Sequence, residues 1–259
     1  MTATYDFTGK TVLVTGASQG IGFAIARRFG RAGANMIILA ENMEIFSAAR
    51  RLSEETGAAF LPLQCDIASE QAVSTALAGI GPLDVLVNNA GYQPRTPISD
   101  PSTASLEQFR RVMDINIVGT WLVTRTAVTA MKRGGRIIMT SSIWGKTGAA
   151  EYSGYVASKH ATIGLVRSLA MELGARGITV NCVCPGWVNT EGALWTVREV
   201  AASLGRDVDG LIDEFLEGQP LPGLMDIDDA SGAYLFLASD AARDITGQAI
   251  NVDRGRFIG

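Results

Sequence analysis

Thr15-Gly16-Ala17-Ser18-Gln19-Gly20-Ile21-Gly22 is the stretch on which the fold turns. The apolar run Thr11-Val12-Leu13-Val14-Thr15 leads into it and reads as a buried strand. Ile21, Ile25 and Phe29 follow at fourfold spacing, as on one face of a helix. Three glycines between a strand and a helix let the backbone turn sharply and approach a ligand closely. The helix then offers its free N–H groups and positive dipole end to an anion such as a pyrophosphate. A glycine-rich turn alone is a weak signal, and the spacing here, GxxxGxG, differs from the commoner GxGxxG.

Outward from that turn, short apolar runs alternate with helical patterns. Strands are expected over 11–15, 35–39, 59–64, 83–87, 136–140, 178–183 and 249–252. Helices are expected over 21–32, 45–56, 70–79, 106–131, 155–173 and 230–238. Such alternation implies an α/β fold, a doubly wound parallel sheet with helices on both faces. The strands read as continuous apolar runs because both of their faces are covered. One domain over 1–259 is expected, with 190–225 inserted: two short helical stretches bounded by Gly and Pro interrupt the alternation there.

Composition narrows the function. A net charge of −4 gives no electrostatic reason to expect nucleic acid. Cys65, Cys182, Cys184 and the lone His160 make no convincing zinc site, and the cysteines read as buried thiols. Met1 to Lys10 lacks the pattern of a signal peptide, and no apolar run is long enough to span a bilayer, so a cytoplasmic protein without membrane partners is expected.

Further motifs fall in order along the chain. Asn88-Asn89-Ala90-Gly91 follows the fourth strand, Asn116 lies in Asp114-Ile115-Asn116-Ile117-Val118-Gly119, and Ser142 closes Thr140-Ser141-Ser142. Tyr155-Val156-Ala157-Ser158-Lys159 forms YxxxK, Pro185-Gly186 with Thr190 forms PGxxxT, and the tail carries Asn251-Val252-Asp253. Together with TGxxxGxG at 15–22, this series resembles the classical short-chain dehydrogenase/reductase family over about residues 9–255. The resemblance implies a Rossmann-type sheet. It also implies an NAD(P)-dependent oxidoreductase that interconverts a secondary alcohol and a carbonyl, and commonly a homotetramer.

Tyr155 and Lys159 lie four apart and share a helix face. A free phenol titrates near about 10, and a neighbouring ammonium favours its phenolate. In isolation such a pair is usually a helix face packing on itself. The resemblance gives it a role: Tyr155 exchanges a proton with the substrate oxygen, Ser142 hydrogen-bonds that oxygen, and Lys159 binds the nicotinamide ribose and lowers the tyrosine pKa. Asn116 would hold a water behind Lys159. Ser141, on the other side of an extended segment, is expected to be structural. The implied cofactor contacts are Gly16, Ser18, Gln19, Gly20, Ile21 and Gly22 in the turn and Glu41 at the ribose 2′-hydroxyl. Asp66 would meet the adenine amino group, Asn88, Ala90 and Gly91 the adenosine ribose, and Thr190 the carboxamide. Ile67, Asn89, Pro185, Gly186 and Val188 complete the set, with Tyr155 and Lys159.

The coenzyme type stays divided. The NAD-type aspartate of the family falls where Ala40 stands, and Glu41 comes one residue later, where many NADP-type members carry arginine. No basic residue occupies 40–44, and Gln19 replaces the arginine common in NADP-binding turns. A carboxylate accepts the 2′-hydroxyl and repels a 2′-phosphate. NAD is therefore expected, with NADP open. Substrate candidates are Trp144, Glu151, Tyr152, Trp187, Asn189 and Trp195, with Lys146, Glu191, Arg198, Gln93 and Arg95 nearby. Indole rings among polar groups suit a sugar, polyol or other small polar alcohol. An NADPH-dependent 3-oxoacyl-type carbonyl reductase is the alternative, and a nucleotide-binding protein without catalysis the third reading. Arg254 stands where the family often has glycine, facing either a neighbouring subunit or the pocket.

Overall fold

Short runs of Val, Ile and Leu can bury both faces only inside a layered sheet. The computed structural model, which describes residues 4–258, arranges them in that way. Seven strands form one parallel sheet in the order β3-β2-β1-β4-β5-β6-β7: β1 (Thr11–Thr15), β2 (Asn35–Ala40), β3 (Phe60–Gln64), β4 (Leu83–Asn88), β5 (Met131–Thr140), β6 (Thr179–Pro185) and β7 (Ala249–Val252). β1 pairs with β2 on one side and β4 on the other, Val12 standing opposite Met36 and Val85. The winding reverses between those neighbours, and at such a switch point a crevice opens beyond the carboxyl ends of the strands.

Period-two alternation along β1 feeds two cores. Val12 and Val14 pack with Phe23 and Phe29 of α1 (Gly20–Arg31), Ile45 and Leu52 of α2 (Glu44–Thr56), and Tyr234 of α9 (Ile227–Ala238). Leu13 points the other way, toward Val73 of α3 (Glu70–Ala76), Val123 of α5 (Thr120–Ala127), and Ile163 and Val166 of α6 (Ser153–Leu173). Each such side chain, fully buried, contributes about 1.5–3 kcal/mol. Cys65, Cys182 and Cys184 are buried free thiols, and all three join the second core. No helix among the described residues is long and apolar enough to cross a membrane.

The expected helix over 106–131 is divided. α4 (Thr103–Met113) continues into a π-helical stretch, Asp114–Gly119, and then into α5, after which Met131 already belongs to β5. Met131 lies in the same core as Leu122, Val123 and Ala127, so helical spacing persists past the true boundary. The π-helical stretch has two causes on either side of it. Asn116 is clamped to the backbone of Tyr92, while Gly119 rides on Ile67, leaving no room for a side chain.

Beyond β6, α7 (Glu191–Leu204) and α8 (Val208–Leu216) bury Val197, Ala201 and Leu211 in a small cluster with Trp187 and Phe215. The chain's tail ties this segment down. Arg254 Nη1 donates to Pro222 O at 2.6 Å, and Leu221 N donates to Arg254 O at 3.1 Å. Arg254 thus points at the segment after α8, and it holds a left-handed φ of 55° to do so.

Candidate active site

The β1–α1 turn is shaped by contacts that only glycine permits. Gly16 has φ 65°, and a Cβ on it would lie 2.7 Å from Ala90 Cα. A Cβ on Gly22 would lie 2.1 Å from Gly16 O. Gln19 extends no side chain to cap α1, so the first-turn N–H groups keep their capacity to receive an anion. Thr15 Oγ1 accepts from Asn89 N at 3.0 Å and Ala90 N at 3.1 Å, fastening the turn to the end of β4. Asn89 completes the join, donating from Nδ2 to Gly16 O at 3.2 Å and accepting from Thr140 Oγ1 at 3.2 Å.

Two contiguous cavities meet at Gly91. One, of about 250 Å³, is lined by Gly16, Ser18, Gln19, Glu41, Asp66, Ile67, Asn89 and Ala90. The other, of about 670 Å³, holds Ile21, Ser142, Trp144, Tyr155, Pro185, Gly186, Trp187, Val188, Thr190 and Trp195. An uncapped helix end, a glycine cradle and a long cleft fit a nicotinamide dinucleotide. Gly20, with φ 58°, brings the turn against Thr190, whose methyl would lie 3.6 Å from a Cβ there.

Tyr155 is half-buried in the wall of the larger cavity, and Ser142 lines the same wall beside it. Ser142 also accepts from Trp144 N at 3.1 Å, which fixes its rotamer. Ser141 faces away and donates to Lys159 O at 2.9 Å, supporting the helix from below. Lys159 Nζ donates to Thr140 O at 2.8 Å and lies 5.3 Å from the centre of the Tyr155 ring. Burial pushes the Tyr155 phenol up to about 12, against the opposing pull of the Ser142 hydroxyl. Burial also holds the Lys159 ammonium down to about 8. The expected acidification of Tyr155 by Lys159 is therefore reversed in the free protein. Lys159 sits over the ring face with its proton affinity lowered but its charge kept at neutral pH, and desolvation of the phenol outweighs attraction. Asn116 Oδ1 accepts from Tyr92 N at 2.7 Å, and its Nδ2 donates to Tyr92 O at 3.0 Å and to Ser158 Oγ at 2.9 Å. Asn116 thus locks the loop after β4 to the helix that carries Tyr155.

Several sequence candidates lie elsewhere. Asn88 is buried behind the cleft, donating to Thr124 Oγ1 at 2.9 Å, and Asn89 takes the cavity position. Glu151 pairs with Arg95 and, with Tyr152, lines an adjoining cavity of about 470 Å³ that shares Trp144 and Trp187 with the larger one and includes Phe215, Arg256 and Phe257. Asn189 is exposed and lines neither cavity. Glu191 pairs with Arg198 at 2.7 Å, and Lys146 donates to Ala249 O at 2.8 Å. Gln93 and Arg95 do reach the larger cavity, joined by Tyr92, Gln108 and Glu199, which sequence reasoning missed. Tyr92 was within sight, next to Gly91; the other two come from helices that converge only in three dimensions.

Aromatic packing shapes the cavity wall. The Trp144 ring meets Tyr155 and Trp187 edge-on, each at 5.9 Å, and Tyr152 at 5.1 Å. Trp187 stacks on Phe215 at 4.9 Å and 6°. Such pairs add about 0.5–1.5 kcal/mol each beyond burial and set the rings rigidly.

Comparison with known proteins agrees with this arrangement. A family model described as enoyl-(acyl carrier protein) reductase matches residues 16–256. The mitochondrial borneol dehydrogenase of Lavandula x intermedia is 36% identical over 96% of this chain and 91% of its own length. The crystal structure of an actinorhodin polyketide ketoreductase variant with NADPH superimposes with a TM-score of 0.88 at 31% identity, covering 95% of this chain and 96% of that one. L-Sorbose reductase of Gluconobacter frateurii, complexed with NADPH and L-sorbose, gives 0.89 at 27% identity, over 99% and 100% of the two chains. The chain belongs to the short-chain dehydrogenase/reductase family. It is accordingly a nicotinamide-dependent oxidoreductase acting between alcohols and carbonyl compounds.

Proposed function

We propose that this chain interconverts a small cyclic secondary alcohol and its ketone, with Tyr155 as the acid/base. The observation that carries the reading is the pairing of Tyr155 with Ser142 in a cavity of about 670 Å³ walled by Trp144, Trp187 and Trp195. In reduction Tyr155 gives its phenolic proton to the carbonyl oxygen, and in oxidation it takes that proton back. Ser142 donates a hydrogen bond to the same oxygen as charge develops on it. The bound coenzyme supplies or receives the hydride. Lys159 holds the nicotinamide ribose, and Asn116 keeps the Tyr92 loop against the tyrosine helix. Glycine cradle and helix end take the pyrophosphate, with Ile67 and Asp66 at the adenine. Glu41 favours NAD, as its sequence position suggests. An arginine beside it tempers that preference, and both coenzymes are expected to bind.

Three indoles offer flat apolar faces for a ring, which supports an alicyclic substrate, as does the likeness to borneol dehydrogenase. The sugar or polyol reading loses Asn189 as a carrier but keeps a polar rim of Gln93, Arg95, Gln108 and Glu199, with Glu151 paired to Arg95 in the adjoining cavity. A panel of bicyclic alcohols, polyols and 3-oxoacyl thioesters, offered with NAD and NADP pairs, separates these readings and the 3-oxoacyl alternative. Turnover confined to polyols or thioesters would overturn the alicyclic reading. Tyr155→Phe is expected to lose turnover about a hundredfold or more while still binding coenzyme; undiminished turnover would remove Tyr155 from its role. A symmetric assembly, expected as a tetramer, is supported by exposed Leu106, Val118 and Trp121 on α4, the π-helical stretch and α5. Light scattering gives its mass.

A further inference from the structure

Glu41 does not stand alone at the end of β2. Arg111, on α4 and 70 residues further along, places Nη2 3.3 Å from Glu41 Oε1 and 3.2 Å from Asp66 Oδ2. The two carboxylates belong to the wall of the adenosine-side cavity, and the guanidinium joins them from outside it. Asp66 is held from a second direction, since its Oδ1 accepts from Ala68 N at 2.9 Å. The carboxylate of Glu41 has no such second anchor: its side chain is 63% exposed, and the Gln64 contact goes to its backbone oxygen.

We infer that Arg111 is a specificity-determining residue, which admits a 2′-phosphate where Glu41 alone would exclude it. The inference rests on the coenzyme reading above and refines it. Two carboxylates without Arg111 would face a 2′-phosphate with two like charges; Arg111 reduces that to one. Both ion pairs use the single nitrogen Nη2, which leaves Nη1 and Nε to donate to a phosphate. Glu41, on the exposed side, can turn to solvent while Asp66 keeps the guanidinium in place. For a coenzyme with a free 2′-hydroxyl, Glu41 accepts that hydroxyl and Arg111 stays as it is. Among the described residues, no arginine or lysine lines the adenosine-side cavity itself.

Titration of the purified protein with NADPH and NADH, followed by nicotinamide fluorescence, tests this without turnover. Calorimetry with 2′,5′-ADP and with 5′-ADP repeats the comparison on the adenosine end alone. Arg111→Ala is expected to weaken NADPH and 2′,5′-ADP about tenfold, the loss of a charge-assisted contact at a half-exposed site. NADH and 5′-ADP should change less than about threefold, and the NADPH penalty should shrink in high salt. Glu41→Ala should strengthen NADPH. A guanidinium that only braces Asp66 would weaken all four ligands equally on Arg111→Ala, and that result would overturn the inference, as would an unchanged NADPH to NADH ratio. An unmodified protein that excludes 2′,5′-ADP while binding 5′-ADP would overturn it too, leaving the coenzyme reading intact. Failure to bind either reduced coenzyme would remove both.

Discussion

Replacing Lys159 with methionine should make the free protein more stable while abolishing turnover. Lys159 is 4% exposed, and burial depresses its pKa from 10.5 to about 8. At about 1.4 kcal/mol per pH unit, that fall of roughly 2.5 corresponds to a cost of about 3 kcal/mol for keeping the charged form folded. Methionine forfeits the hydrogen bond to Thr140 O, worth about 1 kcal/mol, so about 2 kcal/mol should remain as gain at pH 7. In a chain of this size that is a rise in Tm of about 4–8 °C. The pH dependence identifies the cause. Because the folded-state pKa lies below the unfolded one, the burden is full below pH 8. Between pH 8 and 10.5 the folded protein has shed the proton while the unfolded chain still binds it, so wild-type stability rises with pH. The gap between variant and wild type should therefore close across that window. The Tyr155 phenol, pushed up to about 12, lowers stability from about pH 10 upward, but in both proteins alike, and so drops out of the difference. Thermal and urea unfolding of the coenzyme-free proteins from pH 7 to 10.5 supply the readings. A variant less stable than wild type at pH 7, or a gap that ignores pH, would refute the claim that a desolvated ammonium strains this site.

Three other outcomes follow from the geometry. Gly22→Ala should weaken coenzyme binding more than about tenfold and lower stability by about 2 kcal/mol, since its Cβ would meet Gly16 O at 2.1 Å and Asn89 Nδ2 at 2.5 Å; urea unfolding and NADPH titration check both. Trp187→Ala removes the stack on Phe215 and one wall of the cavity, and should raise KM for a cyclic substrate about tenfold while changing kcat less. Arg254→Ala keeps a strained φ of 55° and loses the bond to Pro222 O, so about 1–2 kcal/mol of stability should go, with faster proteolysis within residues 190–225.

The sheet was legible because independent signals coincide in β1 and the turn after it: apolar period, three glycines and helical spacing all demand one geometry. The reacting pair was legible because YxxxK fixes its own spacing on a helix, whatever surrounds it. What escaped was set by packing between distant segments. Arg111 carries no local mark that it will meet Glu41 and Asp66, which follow β2 and β3 and come together with α4 only in the folded chain. Glu151 and Asn189 sit beside true lining residues in sequence, yet a turn with φ 66° at Glu151 carries its side chain toward Arg95. The proton affinity of Tyr155 in the free protein depends on burial in a related way. Spacing puts Lys159 near the ring, but the loss of solvent at both groups sets their proton affinities.

The Trp144–Trp187 pair has an optical consequence. Three of the four indoles line the same cavity as Tyr155, two of them, Trp144 and Trp187, in edge-to-face contact, whereas Trp121 lies on an outer face under Arg125. Reduced nicotinamide absorbs where indole emits. A coenzyme seated in that cavity should therefore quench Trp144, Trp187 and Trp195 and brighten its own emission, leaving Trp121 as an internal reference. The protein carries its own reporter for occupancy, and no label need be attached near the chemistry.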